Sequence, residues 1–135
     1  MVKENMNAYR EKESLIWDLI DSDNLEEAYT LLRKGESEGD KDSIAFLGLF
    51  YIFGIGVKQD LYMGMEFVNK AISMGCAEVA NEVGTLYERN DFGIPISRTK
   101  ALEYYEKGVT LGNSQSYALA GRMYLRTDEM VRNDS

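Results

Sequence analysis

Apolar residues recur three and four positions apart along nearly the whole chain, which is the spacing of amphipathic helices. The pattern divides into seven predicted helices separated by short polar or glycine-containing turns. Their predicted bounds are residues 7–21, 25–38, 42–53, 61–74, 77–89, 98–111 and 114–126. The stretch 44–57 is rich in β-prone residues, but its glycines keep the helical register. The sequence therefore predicts an all-α chain of about seven helices.

Residues at the predicted helix ends fit this division. Asn24 has Glu27 three residues after it, which is a capping-box pattern for the second helix. Asp60 is a good N-cap for the fourth helix. Three glycines follow predicted helices and are expected to stop them, namely Gly39, Gly75 and Gly112.

A second glycine series lies inside predicted helices. Gly48, Gly84 and Gly121 are spaced 36 and 37 residues apart, and each precedes a tyrosine by three positions. A fixed period of this length is typical of stacked helical hairpins. Because glycine inside a helix costs about 1 kcal/mol relative to alanine, we expect a neighbouring helix to approach closely at each position. The expected packing partners are the small residues Ala28, Gly64 and Ala101 and the tyrosines Tyr51, Tyr87 and Tyr124.

The clearest copy of the period reads Leu47-Gly48-Leu49-Phe50-Tyr51, Gly54-Ile55-Gly56-Val57 with Asp60, then Lys70-Ala71 and Gly75. These residues resemble the Sel1-like repeat, a relative of the tetratricopeptide repeat. A second copy runs through Gly84 and Gly112, with Asn90 and Ser97 in place of the usual Gly and Asp. The resemblance implies a right-handed α-solenoid of antiparallel helix pairs with a concave binding face. It also implies an adaptor, scaffold or stoichiometric binder, since these are the family's usual roles.

At 135 residues the chain has the length of one domain. We divide it into an N-terminal capping helix (1–23), a repeat array (24–126) and a flexible polar tail (127–135). The first part of the array resembles the second half of a degenerate copy, and the last part is the first helix of a further copy.

The net charge of −8 argues against nucleic acid and anionic membranes as partners. Residues 1–42 carry 12 acidic and 6 basic side chains, which indicates either a solvated acidic surface or a surface that attracts a basic partner. No apolar run is long enough to cross a membrane, and the first ten residues do not have the pattern of a secretory signal. The single cysteine excludes an internal disulfide. From these features we expect a cytoplasmic protein.

The sequence predicts no catalytic residue, no cofactor-binding residue and no metal ligand. The chain contains no histidine, which removes the commonest general base and metal ligand. Cys76 has no base partner by sequence. Gly54-Ile55-Gly56 is not a phosphate-binding loop, because no predicted strand precedes it and no Gly-Lys-Ser/Thr follows it. An enzyme is therefore not expected.

One face of the third helix differs between the copies. Phe46, Leu49 and Phe53 share this face, whereas the equivalent positions of the fifth and seventh helices include charged residues. Packing residues should be alike in each copy, so we expect an exposed partner-binding surface. The predicted contact residues are Trp17, Phe46, Leu49, Phe53, Glu82, Arg89 and Arg122. The alternative is that the three apolar residues pack beneath the first two helices.

Together these features predict a non-enzymatic protein-protein interaction module that binds one protein partner in a concave groove. The most specific hypothesis is a bacterial toxin-immunity protein, because a small acidic chain without a catalytic set suits a one-to-one blocker of a basic toxin or effector. The alternative is an adaptor or regulatory subunit of a larger protein assembly.

Overall fold

The structure, a computed structural model, describes the backbone of residues 7–134 and the side chains of residues 7–126. These residues form helices and no strand, which confirms the predicted all-α class. The helices are α1 (Ala8–Asp21), α2 (Leu25–Ser37), α3 (Lys41–Phe53), α4 (Leu61–Ser73), α5 (Ala77–Glu88), α6 (Arg98–Thr110) and α7 (Ser114–Asp134). The chain divides after Gly75 into unit 1, which holds α1 to α4, and unit 2, which holds α5 to α7.

Six of the seven helices begin and end within one residue of the predicted positions. The exception is α7, which continues to Asp134 instead of ending near Arg126. The register-equivalent helix α3 ends because Gly54 adopts a left-handed backbone, with φ of 72°. The equivalent residue in α7 is Thr127, which has no such preference, so the helix continues. The side chains of residues 127–135 lie outside the described part of the chain, and the predicted flexibility of this tail stays a prediction.

The three predicted stop glycines all adopt left-handed backbone conformations after α2, α4 and α6. Their φ angles are 77° at Gly39, 106° at Gly75 and 80° at Gly112. A side chain is strained in this region, so each glycine ends its helix as predicted.

The two predicted N-caps have different outcomes. The Asp60 side chain accepts a hydrogen bond from the backbone of Met63 at 3.0 Å, as predicted. The Asn24 side chain makes no capping bond, so the predicted capping box is wrong. The backbone of Asn24 instead donates to the carbonyl of Leu19 at 2.7 Å, which closes the α1–α2 turn. This turn holds Asn24 at φ −109° and ψ 50°, outside the extended conformation that a capping side chain uses.

In unit 1, α3 and α4 form an antiparallel hairpin in which two glycines meet. A Cβ placed on Gly48 would lie 2.8 Å from the carbonyl oxygen of Gly64, closer than real contacts allow. The rings of Tyr51 and Phe67 stack beside this point at 5.8 Å. The predicted close approach and the predicted tyrosine packing are therefore confirmed for this pair. Ten of the residues of α3 are buried, because α1, α2 and α4 all pack against it.

In unit 2, α5 and α6 form a similar hairpin, but a tyrosine side chain, and not a glycine backbone, lies against the mid-helix glycine. The ring of Tyr105 lies against Gly84, where any Cβ would overlap it. The rings of Tyr87 and Tyr104 stack at 5.8 Å, which matches the aromatic pair of unit 1. The core of unit 2 continues onto α7 through the buried residues Ala101, Tyr105, Ala120 and Met123.

The third glycine of the series behaves differently. A Cβ on Gly121 of α7 would meet no atom within 4 Å, and Gly121 is exposed. The expected close approach is therefore absent at this position among the described residues, because the structure places no second helix against this side of α7.

Candidate partner-binding surface

The apolar stripe of α3 is mostly interior to unit 1. Phe46 stacks on Tyr9 of α1 with ring centroids 4.7 Å apart, and only 4% of Phe46 is exposed. Leu49 is equally buried, and Phe53 is half-buried. The expectation that this stripe is an exposed apolar patch is wrong for Phe46 and Leu49. The alternative is confirmed for Phe46, because α1 lies over α3 and uses Tyr9 to cover it.

Trp17 lies on the outer side of α1, with 47% of its surface exposed. Leu15, two residues earlier, is exposed to the same extent and borders a groove between α1 and α2 of about 280 Å³. Leu31 lines the groove from α2, and Lys12 and Asp40 lie at its rim. Unit 1 therefore offers accessible apolar side chains on α1 and α2 and not on the predicted face of α3.

Asp40 joins the N-terminus of α3 to α1. Its carboxylate accepts hydrogen bonds from the hydroxyl of Ser43 at 2.6 Å and forms an ion pair with Lys12 at 3.3 Å. Burial acts to raise the pKa of Asp40, but the bond from Ser43 and the charge of Lys12 outweigh it. The pKa therefore lies below its usual value, and the carboxylate remains charged as an N-cap.

In unit 2, the carboxylate of Glu88 at the end of α5 interacts with side chains of both α6 and α7. Its side chain is largely buried and accepts a hydrogen bond from the hydroxyl of Tyr105. Arg122 of α7 forms an ion pair with the same carboxylate at 2.5 Å, and Arg126 approaches at 3.6 Å. Both arginine side chains are about half exposed. The carboxylate thus holds the guanidinium group of Arg122 in place on α7, with that of Arg126 nearby, and part of each remains accessible to a partner.

Burial, together with the bond to Glu88, raises the pKa of Tyr105 to about 12. The hydroxyl also lies 3.2 Å from that of Thr85, one turn before Glu88. Tyr105 is therefore neutral at physiological pH, and its hydroxyl donates to Glu88. The hydroxyl of Tyr105 and the guanidinium of Arg122 share the Oε1 atom of Glu88, whereas Arg126 approaches the Oε2 atom.

The other predicted contact residues of unit 2 are Glu82 and Arg89, which lie before and after Glu88 in the sequence. Arg89 is exposed and forms an ion pair with Asp91 at 2.9 Å. Glu82 is half-buried on α5. Of the predicted set in this unit, the structure thus leaves Arg89 and Arg122 accessible, each held by a neighbouring acid. Whether they contact a partner stays a prediction.

Sequence reasoning missed the central role of Glu88. A signal was present, because Arg122 and Arg126 are one helical turn apart and lie in the copy of the repeat that follows Glu88. Tyr105 was missed because the repeat pattern places a small valine, Val68, at the same position in the preceding copy.

A second polar network is buried between α5 and α7. The hydroxyl of Ser116 donates to the side chain of Asn81 at 2.6 Å, and the amide of Asn81 donates to Asn113 at 3.1 Å. Asn113 also accepts from the backbone of Ser116 at 2.9 Å, which caps α7. These polar atoms satisfy one another, so the network holds α7 on α5 and is not an open site.

None of the helices in the described part of the chain is both long and apolar enough to cross a bilayer.

Comparison with curated proteins gives two relatives. The chain is 31% identical over 116 residues to "Cytochrome c oxidase assembly factor 7A" of Xenopus laevis, covering 82% of this chain and 50% of the relative. It is 30% identical over 116 residues to "Cytochrome c oxidase assembly factor 7" of Xenopus tropicalis, with the same coverage. The chain thus spans about half the length of the curated relatives it matches.

The family profile described as the Sel1 repeat matches residues 41–76 and 77–113, which together make up just over half of the chain. Each match contains one complete hairpin, α3–α4 in the first and α5–α6 in the second. The resemblance seen in the sequence is thereby confirmed, and the chain belongs to the Sel1 repeat family.

Proposed function

We propose that this protein is a non-enzymatic adaptor that holds a protein partner during the assembly of a larger protein complex. The observation that carries the proposal is the pair of Sel1 repeats over residues 41–113, since this repeat is a protein-interaction fold. Stacked helical hairpins present side chains from successive repeats to one partner.

The two curated relatives favour the adaptor over the toxin-immunity protein. Both carry the name of an assembly factor, and neither name refers to a toxin. Because the chain spans about half of each relative, we carry over only the class of role and not their particular complex. The comparisons lend no support to a basic toxin as the partner.

The accessible members of the predicted set are the contact residues that we propose. In unit 2 these are Arg89 and Arg122, whose guanidinium groups are held by Asp91 and Glu88. In unit 1 it is Trp17, which is exposed on α1. Held arginines and exposed aromatic residues are the side chains that most often dominate binding energy at protein interfaces.

Affinity purification of the tagged full chain from its source cells, followed by quantitative mass spectrometry, tests this proposal. We expect several subunits of one multiprotein complex to co-purify. The Arg122→Glu variant is expected to lower their recovery by about tenfold, as for loss of one interface arginine. Arg33→Glu is the matched control, because Arg33 is also a half-exposed arginine in an ion pair, with Glu36 on α2.

Three results are decisive. Loss of the subunits with Arg122→Glu but not with Arg33→Glu supports the proposal. A single stoichiometric partner with its own lethal activity favours the immunity protein instead. Recovery of no specific protein contradicts both functions.

A further inference from the structure

The mid-helix glycines of α3, α5 and α7 occupy equivalent repeat positions, but only two of them are covered. A Cβ on Gly48 would lie 2.8 Å from the backbone of α4, and one on Gly84 would overlap the ring of Tyr105 on α6. A Cβ on Gly121 would meet nothing within 4 Å. The surface that receives the second helix of each repeat is therefore bare on α7 among the described residues.

The neighbours of these glycines show the same contrast. Ile44 and Ile52, four residues to either side of Gly48, are 1% and 0% exposed. Their equivalents on α7 are Tyr117 and Leu125, which are 58% and 67% exposed. The positions that are fully buried in the complete hairpin are thus accessible apolar positions on α7.

The repeated tyrosine gives a third, separate comparison. The ring of Tyr51 stacks on Phe67 of α4, and that of Tyr87 stacks on Tyr104 of α6, each at 5.8 Å. The hydroxyl of Tyr124 donates to Glu106 of α6, but half of Tyr124 is exposed and its ring stacks on no described residue. The hydroxyl of Tyr124 is thus held by α6, and the ring lacks the aromatic partner that a second helix supplies to Tyr51 and Tyr87.

We call this face of α7 the α7 seat, and it consists of Tyr117, Ala118, Gly121, Tyr124 and Leu125. It continues, in repeat register, the two helix-helix interfaces that α4 and α6 complete within the chain. Residues 114–121 carry no charge, so the first half of the seat is wholly uncharged. Glu106 makes one border acidic, so a basic side chain on that side of an occupant is favoured.

The helices α4 and α6, which pack on the equivalent faces of α3 and α5, indicate which residues a helix needs in order to pack on the α7 seat. In α4 a small residue is followed three positions later by an aromatic ring and then directly by an apolar residue, namely Gly64, Phe67 and Val68. In α6 the same positions hold Ala101, Tyr104 and Tyr105. In α4 the small residue lets the two backbones approach, and in both helices the aromatic ring stacks on the repeated tyrosine.

We propose that the α7 seat docks a single amphipathic helix of a partner protein, with a small residue, an aromatic residue three positions later and an apolar residue after that. This inference rests on the proposed protein-binding function and names the partner segment. A second copy of this chain is a poor source of such a helix. Among the described residues, its helices with this pattern are α4 and α6, and these already pack on α3 and α5 with Gly64 and Ala101 buried.

The test uses a synthetic peptide of residues 97–112, which contains the pattern of α6 and is titrated into the isotopically labelled full chain. We expect NMR chemical-shift changes at Tyr117, Gly121, Tyr124 and Leu125. A peptide with the Tyr104→Ala change is expected to bind about tenfold more weakly, since the ring that stacks on Tyr124 is removed.

Gly121→Ala gives the sharpest variant, because its Cβ meets no atom in the free chain and the fold is kept. The added methyl group enters the contact only when a helix is docked, so we expect peptide affinity to fall by about tenfold or more. Gln115→Ala is the matched control, since Gln115 is exposed on α7 but lies off the seat. It is expected to leave affinity unchanged.

Three outcomes overturn the inference. The first is the absence of shifts at the α7 seat at millimolar peptide, and the second is equal affinity for the Gly121→Ala variant. The third is a dimer, seen by light scattering, that Leu125→Glu dissociates, because it assigns the seat to a second copy. If Leu125→Glu leaves the co-purifying subunits in place while Arg122→Glu removes them, the adaptor function stands and the α7 seat is not its docking site.

Discussion

Gly48 on α3 and Gly64 on α4 bring the backbones of two helices into direct contact. A Cβ on either residue would lie 2.8 Å from the carbonyl oxygen of the other. The backbone of α3 has little room to move at this point, because α1, α2 and α4 all pack against it. The spacing of this hairpin is therefore set by the absence of two side chains, and it accounts for the glycine series in the sequence.

Alanine at these glycines is expected to change stability with opposite signs. Gly48→Ala and Gly64→Ala gain helix propensity but force the helices apart, so we expect each to lower the free energy of unfolding by about 1–3 kcal/mol. Gly121→Ala meets no atom and is expected to raise it by about 1 kcal/mol. Urea unfolding followed by circular dichroism measures all three. A stabilising effect at Gly48 would show that the close contact is not tight.

The contact between Gly84 and Tyr105 is expected to appear as a coupling between two substitutions. Gly84→Ala should destabilise the protein, because the Tyr105 ring is held by Glu88 and Thr85 and has little room to move. In a Tyr105→Leu background the smaller side chain leaves space, so the same change should have a much smaller effect. Double-mutant cycles on unfolding free energies measure the coupling, expected at about 1–3 kcal/mol. Simple additivity of the two effects contradicts the contact.

Removal of the Ser116 hydroxyl should lower the free energy of unfolding by more than the small size of the group suggests. Ser116→Ala leaves the buried oxygen of Asn81 without its 2.6 Å donor, so we expect a loss of about 1–3 kcal/mol. Ser114→Ala serves as a control, since Ser114 is exposed at the start of the same helix. Chemical denaturation of the two variants tests this. Equal stabilities would mean that the network contributes nothing to holding α7.

The raised pKa of Tyr105 makes stability depend on pH in the alkaline range. An unfolded tyrosine loses its proton near pH 10, whereas folded Tyr105 keeps its proton up to about pH 12. The unfolded state therefore binds fewer protons in this window, so stability is fully present below pH 10 and falls between pH 10 and 12. The Tyr105→Phe variant should lack this component of the decline.

NMR of carbon-labelled tyrosine rings checks the pKa directly. Among the nine tyrosines, we expect a resonance that titrates near pH 12 and disappears in the Tyr105→Phe variant. If every tyrosine titrates near pH 10, the bond from Tyr105 to Glu88 is not maintained in solution.

The helices were predictable because their periodicity, caps and stop glycines are local properties of the sequence. Gly75 ends α4 whatever surrounds it, since only glycine tolerates its φ of 106°. The capping of α2 was not predictable, because the Asn24 conformation depends on a turn closed by the carbonyl of Leu19.

The surface was harder to predict than the fold, because burial depends on which helix covers which face. Phe46 belongs to the same helix stripe in the sequence whether it faces a partner or faces Tyr9 of α1. Sequence register also placed Gly121 with Gly48 and Gly84, although only the structure shows that its face lacks a second helix. Repeat register thus identifies equivalent positions, and coverage by neighbours decides what each position does.

Photo-crosslinking in the source cells most directly tests the central claim, that this protein works by holding a protein partner. A photoreactive phenylalanine analogue is placed in the full chain at Trp17, Arg89 or Leu125, all of which are exposed, and at the exposed control positions Thr30 and Thr99. We predict a discrete covalent adduct, larger than the 15.3 kDa chain, from at least one of the first three positions and none from the controls. Absence of any adduct, or equal labelling from the control positions, would contradict the claim.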